Sequence, residues 1–423
     1  MSFARILALA LAFGAATIAA DRAAFAQVPP PAQAGASMEE TRLRALIDAF
    51  VRGAPDLDSM EGDLRRAVEP IAAQTSAELR RLGALRSVTP LGVQGGLTIF
   101  RAGFEKGTLV FGLRIGPSGK LAALVYRAQP AAETRGEEVT TAGLAGTLLK
   151  PANVEKPPVV LLIAGSGPTD RNGNQGGAGP GPLRLLAEAL AERGIASLRF
   201  DKRGIGRSTS NMREDQLDLD AFVDDADAWV KFLAARSDLG PLAVAGHSEG
   251  GLIGIRLAQR RPVAGLVLLA TPGRRLSQLL REQLGSALPQ PLRDEAFTTL
   301  AALERGETVT NVSAPLMPLF RPSVQPFLRS EIAMDPAAEL ARLRVPTLVV
   351  SGGHDLQVTA ADAQALAQAR PDARRFDVAE MNHVLKAAPA GRAEQQAAYS
   401  DPQLPLMAGL VDAIASFVKG EAR

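Results

Sequence analysis

The 423-residue chain contains three histidines, His247, His354 and His383, and no cysteine. A serine hydroxyl is a poor nucleophile until a base takes its proton, so only these three positions offer an imidazole for that task. One segment has the form Gly-x-Ser-x-Gly: Gly246-His247-Ser248-Glu249-Gly250. It follows the apolar run Leu242–Ala245 and precedes a stretch of helical apolar spacing from Gly250 to Arg260. A strand that turns into a helix in one sharp bend lifts the serine hydroxyl above the sheet. The bend strains the serine backbone, and the flanking glycines remove Cβ atoms that would collide there. It also aims the Glu249 backbone N–H, at the amino end of the helix, towards an oxyanion. A chance match is the rival reading in a chain with 40 glycines; the strand and helix on either side argue against it.

His383, in Met381-Asn382-His383-Val384, follows the last strand-like segment and has the placement of a base that reaches the sheet top from a loop. His354 is the weaker candidate. His247, inside the bend, is expected to point away from Ser248 and pack. Asp355 follows Ser351-Gly352-Gly353-His354 at the end of the strand-like run Pro346–Val350; a carboxylate there holds an imidazole tautomer and stabilises the imidazolium. The plainer reading of Asp355 is a polar turn residue. A second oxyanion donor is expected after the apolar run Pro158–Ala164, in Gly165-Ser166-Gly167-Pro168, from the N–H of Ser166 and next of Gly167. A phosphate-binding loop is excluded there because the Lys and Ser/Thr of that motif are missing. Asp201 and Arg203, in Asp201-Lys202-Arg203-Gly204-Ile205-Gly206-Arg207-Ser208, read as loop braces.

Positioning such residues requires a sheet. From about Gly136, short apolar runs alternate with amphipathic stretches: Ala196–Phe200, Leu242–Ala245, Val263–Ala270, Pro346–Val350 and Arg374–Val378 against Leu183–Arg193, Leu219–Leu233, Gly250–Arg260, Ala360–Ala369 and Leu406–Val418. That rhythm predicts an α/β fold with a parallel sheet covered on both faces. Residues 274–344 break it with helical spacing and several prolines, and read as a helical cap insertion. Before it, residues 38–130 form a small N-terminal α+β domain: helical spacing at Met38–Phe50 and Glu61–Leu82, then strands at Leu97–Arg101, Thr108–Ile115 and Leu121–Tyr126, the last two joined by Gly116-Pro117-Ser118-Gly119.

Residues 1–26 have the positive start, apolar run and Ala24-Phe25-Ala26 ending of a secretory signal peptide. The apolar run is too short to span a bilayer. The expectation is a secreted or periplasmic protein with no integral membrane segment once the signal is cleaved, and with a linker over 27–37. A net charge of +2 and 4% aromatic residues argue against a nucleic-acid partner. No two histidines stand at ligand spacing, so no metal is expected, and no cofactor is called for.

Together, Gly165-Ser166-Gly167-Pro168, Asp201-x-Arg203-Gly204-x-Gly206-x-Ser208, Gly246-x-Ser248-x-Gly250, Gly352-x-x-Asp355 and Asn382-His383 resemble, in content and order, the α/β-hydrolase superfamily, over about Gly136–Ala422. The first and third look like its bacterial serine aminopeptidase-like or esterase-like branch. The resemblance implies a mostly parallel eight-stranded sheet with one antiparallel strand near its start. Relatives have His-Gly where this chain has Ala164-Gly165, a departure that bears on which backbone N–H completes the oxyanion hole. The expected activity is that of a serine hydrolase with a Ser248–Asp355–His383 triad acting on a small acyl substrate. A carboxylic ester hydrolase comes first. A peptidase or aminopeptidase comes second, with Glu249, Asp170 or Glu331 as candidates to receive a free amine; a non-catalytic binding protein is remote. Met317, Leu319, Phe320 and Phe327 of the cap are candidate acyl-pocket or core residues.

Overall fold

The structure, a computed structural model, describes residues 37–94, 96–129, 135–174, 181–391, 395, 398–399, 401 and 404–421. The expected signal segment, and the linker up to residue 36, lie outside the described residues. The described chain falls into two compact units, 37–129 and from 135 onward.

In the first unit Ser37 caps helix α1 (Met38–Arg52), its Oγ accepting from Glu40 N–H at 3.1 Å, and Gly53 ends the helix at φ 78°. The sequence spacing over 61–82 predicts one helix. The structure has two, α2 (Gly62–Val68) and α3 (Ala72–Arg81), separated by a single 3₁₀ turn at Glu69–Ile71. Pro70 lies in that turn; it has no N–H to give to an α-helical ladder. An antiparallel meander follows: β1 (Leu85–Gln94), β2 (Leu97–Phe104), β3 (Gly107–Ile115) and β4 (Leu121–Gln129). β1 escapes sequence inspection because Pro90 and Gly92 interrupt it and its pairing with β2 shifts register twice. Helix residues Leu43, Ile47 and Phe50 pack with Phe100, Phe111 and Leu113 of the sheet as one apolar core.

The second unit is built on an eight-stranded sheet: β5 (Glu137–Thr141), β6 (Leu144–Leu149), β7 (Val159–Ile163), β8 (Ala196–Phe200), β9 (Leu242–His247), β10 (Gly265–Leu269), β11 (Thr347–Gly352) and β12 (Arg374–Val378). The order across the sheet is β12-β11-β10-β9-β7-β8-β6-β5. From β12 to β8 every pairing is parallel, and β6 alone runs against its neighbours β8 and β5. The expected mostly parallel sheet with one antiparallel strand near its start is present.

Strand residues alternate between two cores, as the two-residue side-chain period requires. Leu161, Val244, Leu266 and Leu268 face α5 (Leu219–Ala234) and α6 (Glu249–Arg260). Val160, Leu162, Ala243, Ala245 and Val267 face α4 (Pro182–Glu192) and the C-terminal helix Leu410–Val418. Both faces are buried, which explains why the strands read as continuous apolar runs.

Between β10 and β11 the chain forms α7 (Leu276–Ala287), α8 (Gln290–Glu304), α9 (Met317–Phe320), α10 (Gln325–Ala333) and α11 (Pro336–Ala341). The first four share a core of their own, from Leu276 to Ile332. Met334, Leu340 and Leu343 belong instead to the main core beside Ala363 and Leu366. Leu319 and Phe320 are buried within the helical core, so they fill it rather than line a pocket; Met317 is exposed, and Phe327 packs edge-on to Phe222 at 5.5 Å.

Candidate active site

The site forms at the carboxyl end of the parallel strands, where the chain leaves the sheet and loops converge. At the end of central strand β9 the backbone turns directly into α6. Ser248 occupies φ 54°, ψ −123°, an unusual conformation for a residue with a side chain. Its N–H donates to Leu269 O at 2.8 Å and its carbonyl accepts from Gly251 N–H at 2.9 Å. The glycines are sterically required: a Cβ on Gly246 would overlap the Gly250 carbonyl, and one on Gly250 would overlap that of Ile163. A third, Gly251, abuts the Thr271 side chain in the same way.

Glu249 is the first residue of α6, so its N–H has no intrahelical acceptor and lies at the positive end of the helix. The loop after β7 lies against the same bend. A Cβ on Gly165 would come within 3.1 Å of Ser248 Cβ and 3.2 Å of His247 Nδ1. Ser166 is buried there, and Gly167 follows at φ 78°. Thr169 closes the loop by donating from Oγ1 to Gly165 O at 3.1 Å, and from N–H to Gly167 O at 2.9 Å.

Asp355 follows β11. Its Oδ1 accepts from the N–H groups of Gln357 (2.8 Å) and Val358 (2.9 Å). Its Oδ2 stands 2.8 Å from His383 Nδ1. A carboxylate that already accepts two amide hydrogens acts as acceptor again, which makes Nδ1 the protonated nitrogen of His383 and leaves Nε2 with a lone pair. The loop carrying His383 is closed on itself: Asn382 N–H donates to Lys386 O at 2.9 Å, and Lys386 N–H to Asn382 Oδ1 at 3.0 Å. Ser248, Asp355 and His383 are all buried, Ser248 at 9% exposure.

His247 packs, as expected from sequence, and also makes a specific contact that the sequence did not suggest. Its Nε2 lies 2.7 Å from the His383 carbonyl, which can only accept, and the two rings are 4.9 Å apart. Burial, helped by the neighbouring His383, lowers its pKa to about 4, so it stays a neutral donor at ordinary pH. A contact across 136 residues has no local sequence signature. His354 turns elsewhere, with Nδ1 2.6 Å from Ala388 O.

Asp201 and Arg203 do brace loops. Asp201 accepts from Arg171 Nε (3.2 Å), Arg171 Nη2 (2.8 Å) and the N–H groups of Arg171 and Arg207 (2.9 Å each), while Arg203 grips Asp225 with two bonds of 2.8 and 2.6 Å. Sequence inspection gave Lys202 no role. Its Nζ lies 2.7 Å from Glu249 Oε1, both groups buried. Among the described residues no group of three His, Asp or Glu side chains is gathered closely enough to hold a metal ion. No helix among them is long and apolar enough to cross a membrane.

The sheet order, its single antiparallel strand and the strand-to-helix turn at Ser248 give the second unit the α/β-hydrolase fold. Within that class, residues 181–386 match the family Hydrolase_4, described as serine aminopeptidase, S33. Esterase EstD of Thermotoga maritima is 26% identical over 281 residues, covering 63% of this chain and 65% of its own. An uncharacterized protein of Mycobacterium tuberculosis is 30% identical over 217 residues, 51% of this chain and 62% of its own. The chain therefore spans a little under two thirds of the length of these curated relatives. Among solved structures, Est1E of Butyrivibrio proteoclasticus with ferulic acid bound aligns with a TM-score of 0.44 at 18% identity, covering 67% of this chain and 96% of that one.

Proposed function

We propose that the protein is a serine hydrolase that cleaves carboxylic esters through an acyl-enzyme. Ser248 Oγ attacks the carbonyl carbon as its proton passes to His383 Nε2. The Glu249 N–H, with that of Ser166 or Gly167, binds the oxyanion. The imidazolium, steadied by Asp355, then returns the proton to the departing alkoxide, and water repeats the sequence on the acyl group. The observation that carries this reading is the Asp355–His383 bond of 2.8 Å, with Asp355 fixed by two backbone amides, together with a serine held at φ 54° at the end of β9.

The ester reading is preferred to aminopeptidase action because the acids that would receive a substrate amine are engaged. Glu249 is paired with Lys202, Asp170 accepts from Asn172 and Asn174, and Glu331 is buried against Glu249. Esterase EstD, by its name, agrees with this reading. The test is labelling by a fluorophosphonate together with turnover of p-nitrophenyl butyrate and an aminoacyl anilide. Ser248→Ala is expected to abolish labelling and to lower ester turnover by roughly 10⁴ or more. Near-wild-type ester turnover in that variant would refute the nucleophile assignment; faster anilide than ester cleavage by the wild type would favour the peptidase reading.

A further inference from the structure

The side chain of Glu249 creates a problem that its backbone does not. Its N–H faces the site where negative charge collects, yet its own carboxylate is buried within the same residue. An unneutralised charge there would oppose the oxyanion, in surroundings where Coulomb interactions are weakly screened. Two buried residues address that carboxylate. Lys202, from the loop after β8, bonds Oε1 at 2.7 Å. Glu331, from α10, stands within hydrogen-bonding reach of it. Glu249 Oε2 and Glu331 Oε2 are both buried, and neither meets a donor among the described residues. A proton shared between the two carboxyls would supply the donor they lack.

We propose that Lys202 and Glu331 are positioning residues that grip the Glu249 side chain from two sides and keep its charge from opposing the oxyanion at the Glu249 N–H. The proposal rests on the serine-hydrolase reading. Burial, with the Glu249 charge adding to it and Lys202 opposing, pushes the Glu331 carboxyl well above the ordinary carboxylate range. α10 is docked to hold it there. Phe327, Ser330 and Glu331 share one face of that helix; Phe327 meets Phe222, and Ser330 Oγ accepts from Leu219 N–H at 2.8 Å. Phe222 also lies under Lys202 Nζ, 5.1 Å from the ring centre.

The charged groups that act on Glu331 are Glu249 and Lys202. Of the other charges on elements packed against α10, Arg203 is paired with Asp225, Arg281 with Glu304, Arg321 with Glu214, Asp220 and Asp224 with Arg260, Asp227 with Arg261 and Glu282 with Arg274. Glu295 accepts from Ser313 N–H, and Arg293 and Asp294 on α8 are charged as well. Raising the pH therefore ionises Glu331 and leaves two carboxylates facing one ammonium beside the oxyanion site.

The experiment measures kcat and KM for p-nitrophenyl butyrate between pH 6 and pH 9.5, with thermal melting of each variant as a check on folding. Wild-type kcat is expected to fall about tenfold or more on the alkaline side while KM changes little, a fraction of the loss caused by removing an oxyanion donor. The Glu331→Gln variant is expected to lack that fall. Lys202→Met should lower kcat about tenfold or more across the range, and Lys202→Met with Glu249→Gln should recover most of it. If Lys202→Met does not fold, the Glu331→Gln profile decides alone. An alkaline fall that survives in Glu331→Gln, or an effect of Lys202→Met confined to KM, overturns the proposal. Fluorophosphonate labelling separates the two levels: labelled wild type with an unchanged Glu331→Gln profile sinks this proposal alone, and unlabelled wild type sinks the serine-hydrolase reading with it.

Discussion

His247 shows how a residue beside the proposed nucleophile, Ser248, can anchor the loop of the proposed base, His383. It is buried, neutral, and donates from Nε2 to the backbone of His383. The folded protein holds its pKa near 4, against an ordinary value of 6.5. Between those values the unfolded chain binds the proton and the folded chain does not, so stability rises with pH. The contribution is complete above pH 6.5 and is lost as the pH falls towards 4; at about 1.4 kcal/mol per tenfold difference in proton affinity it amounts to about 3 kcal/mol. His247→Gln removes the ionisable group and keeps a donor. Its melting temperature is expected to vary less with pH across this window than that of the wild type, and kcat should fall severalfold because an amide anchors the His383 loop less rigidly. Parallel melting curves for the two proteins at every pH would refute the assignment. Residue type and order in the sequence propose Ser248, Asp355 and His383, and the structure brings the last two to 2.8 Å of each other. The contacts of His247 and Lys202 are not legible there, because their partners lie 136 and 47 residues away and only the folded sheet brings them together.

At the scale of elements, the turn from β9 to α6 depends on contacts between backbones. A Cβ on Gly250 would overlap the carbonyl of Ile163 and approach that of Ala164 at 2.8 Å, and neither can rotate away as a side chain could. Gly250→Ala must therefore push α6 off β7, at a cost of about 1–3 kcal/mol or more for overpacking, and shift the Glu249 N–H with it. Denaturant titration and turnover should both register the change; a variant with wild-type stability and rate would show that the turn adapts. The same elements explain what sequence inspection could find. The boundaries of β8, β12 and the helix Ala360–Ala369 match the sequence reading because uninterrupted apolar or amphipathic runs end at clear breaks. β1 was missed because Pro90, Gly92 and two register shifts break its alternation. β5 and β6 were foreseen only through family resemblance. Leu319 and Phe320 are equally apolar whether they line a pocket or fill a core, and only tertiary packing assigns them to the core.

At the scale of the whole molecule, the cores divide cleanly along the chain. The apolar core of the first unit draws only on residues between Leu43 and Tyr126; the cores of the second begin at Val139. Units with separate cores are expected to unfold as separate cooperative transitions. Phe111 is the point at which to test this. It is buried in the first unit with its ring 5.5 Å from that of Tyr126, and Phe111→Ala should cost about 3–5 kcal/mol. Leu268 is its counterpart, fully buried in the sheet next to the proposed site, and Leu268→Ala should cost about 2–5 kcal/mol. Calorimetry is expected to resolve two transitions, Phe111→Ala lowering one and Leu268→Ala the other. Fluorophosphonate labelling followed through the same temperature range should be lost with the transition that Leu268→Ala moves and persist through the one that Phe111→Ala moves. A single transition displaced by either substitution, with labelling lost at the same temperature in both variants, would mean that the two units fold as one despite their separate cores.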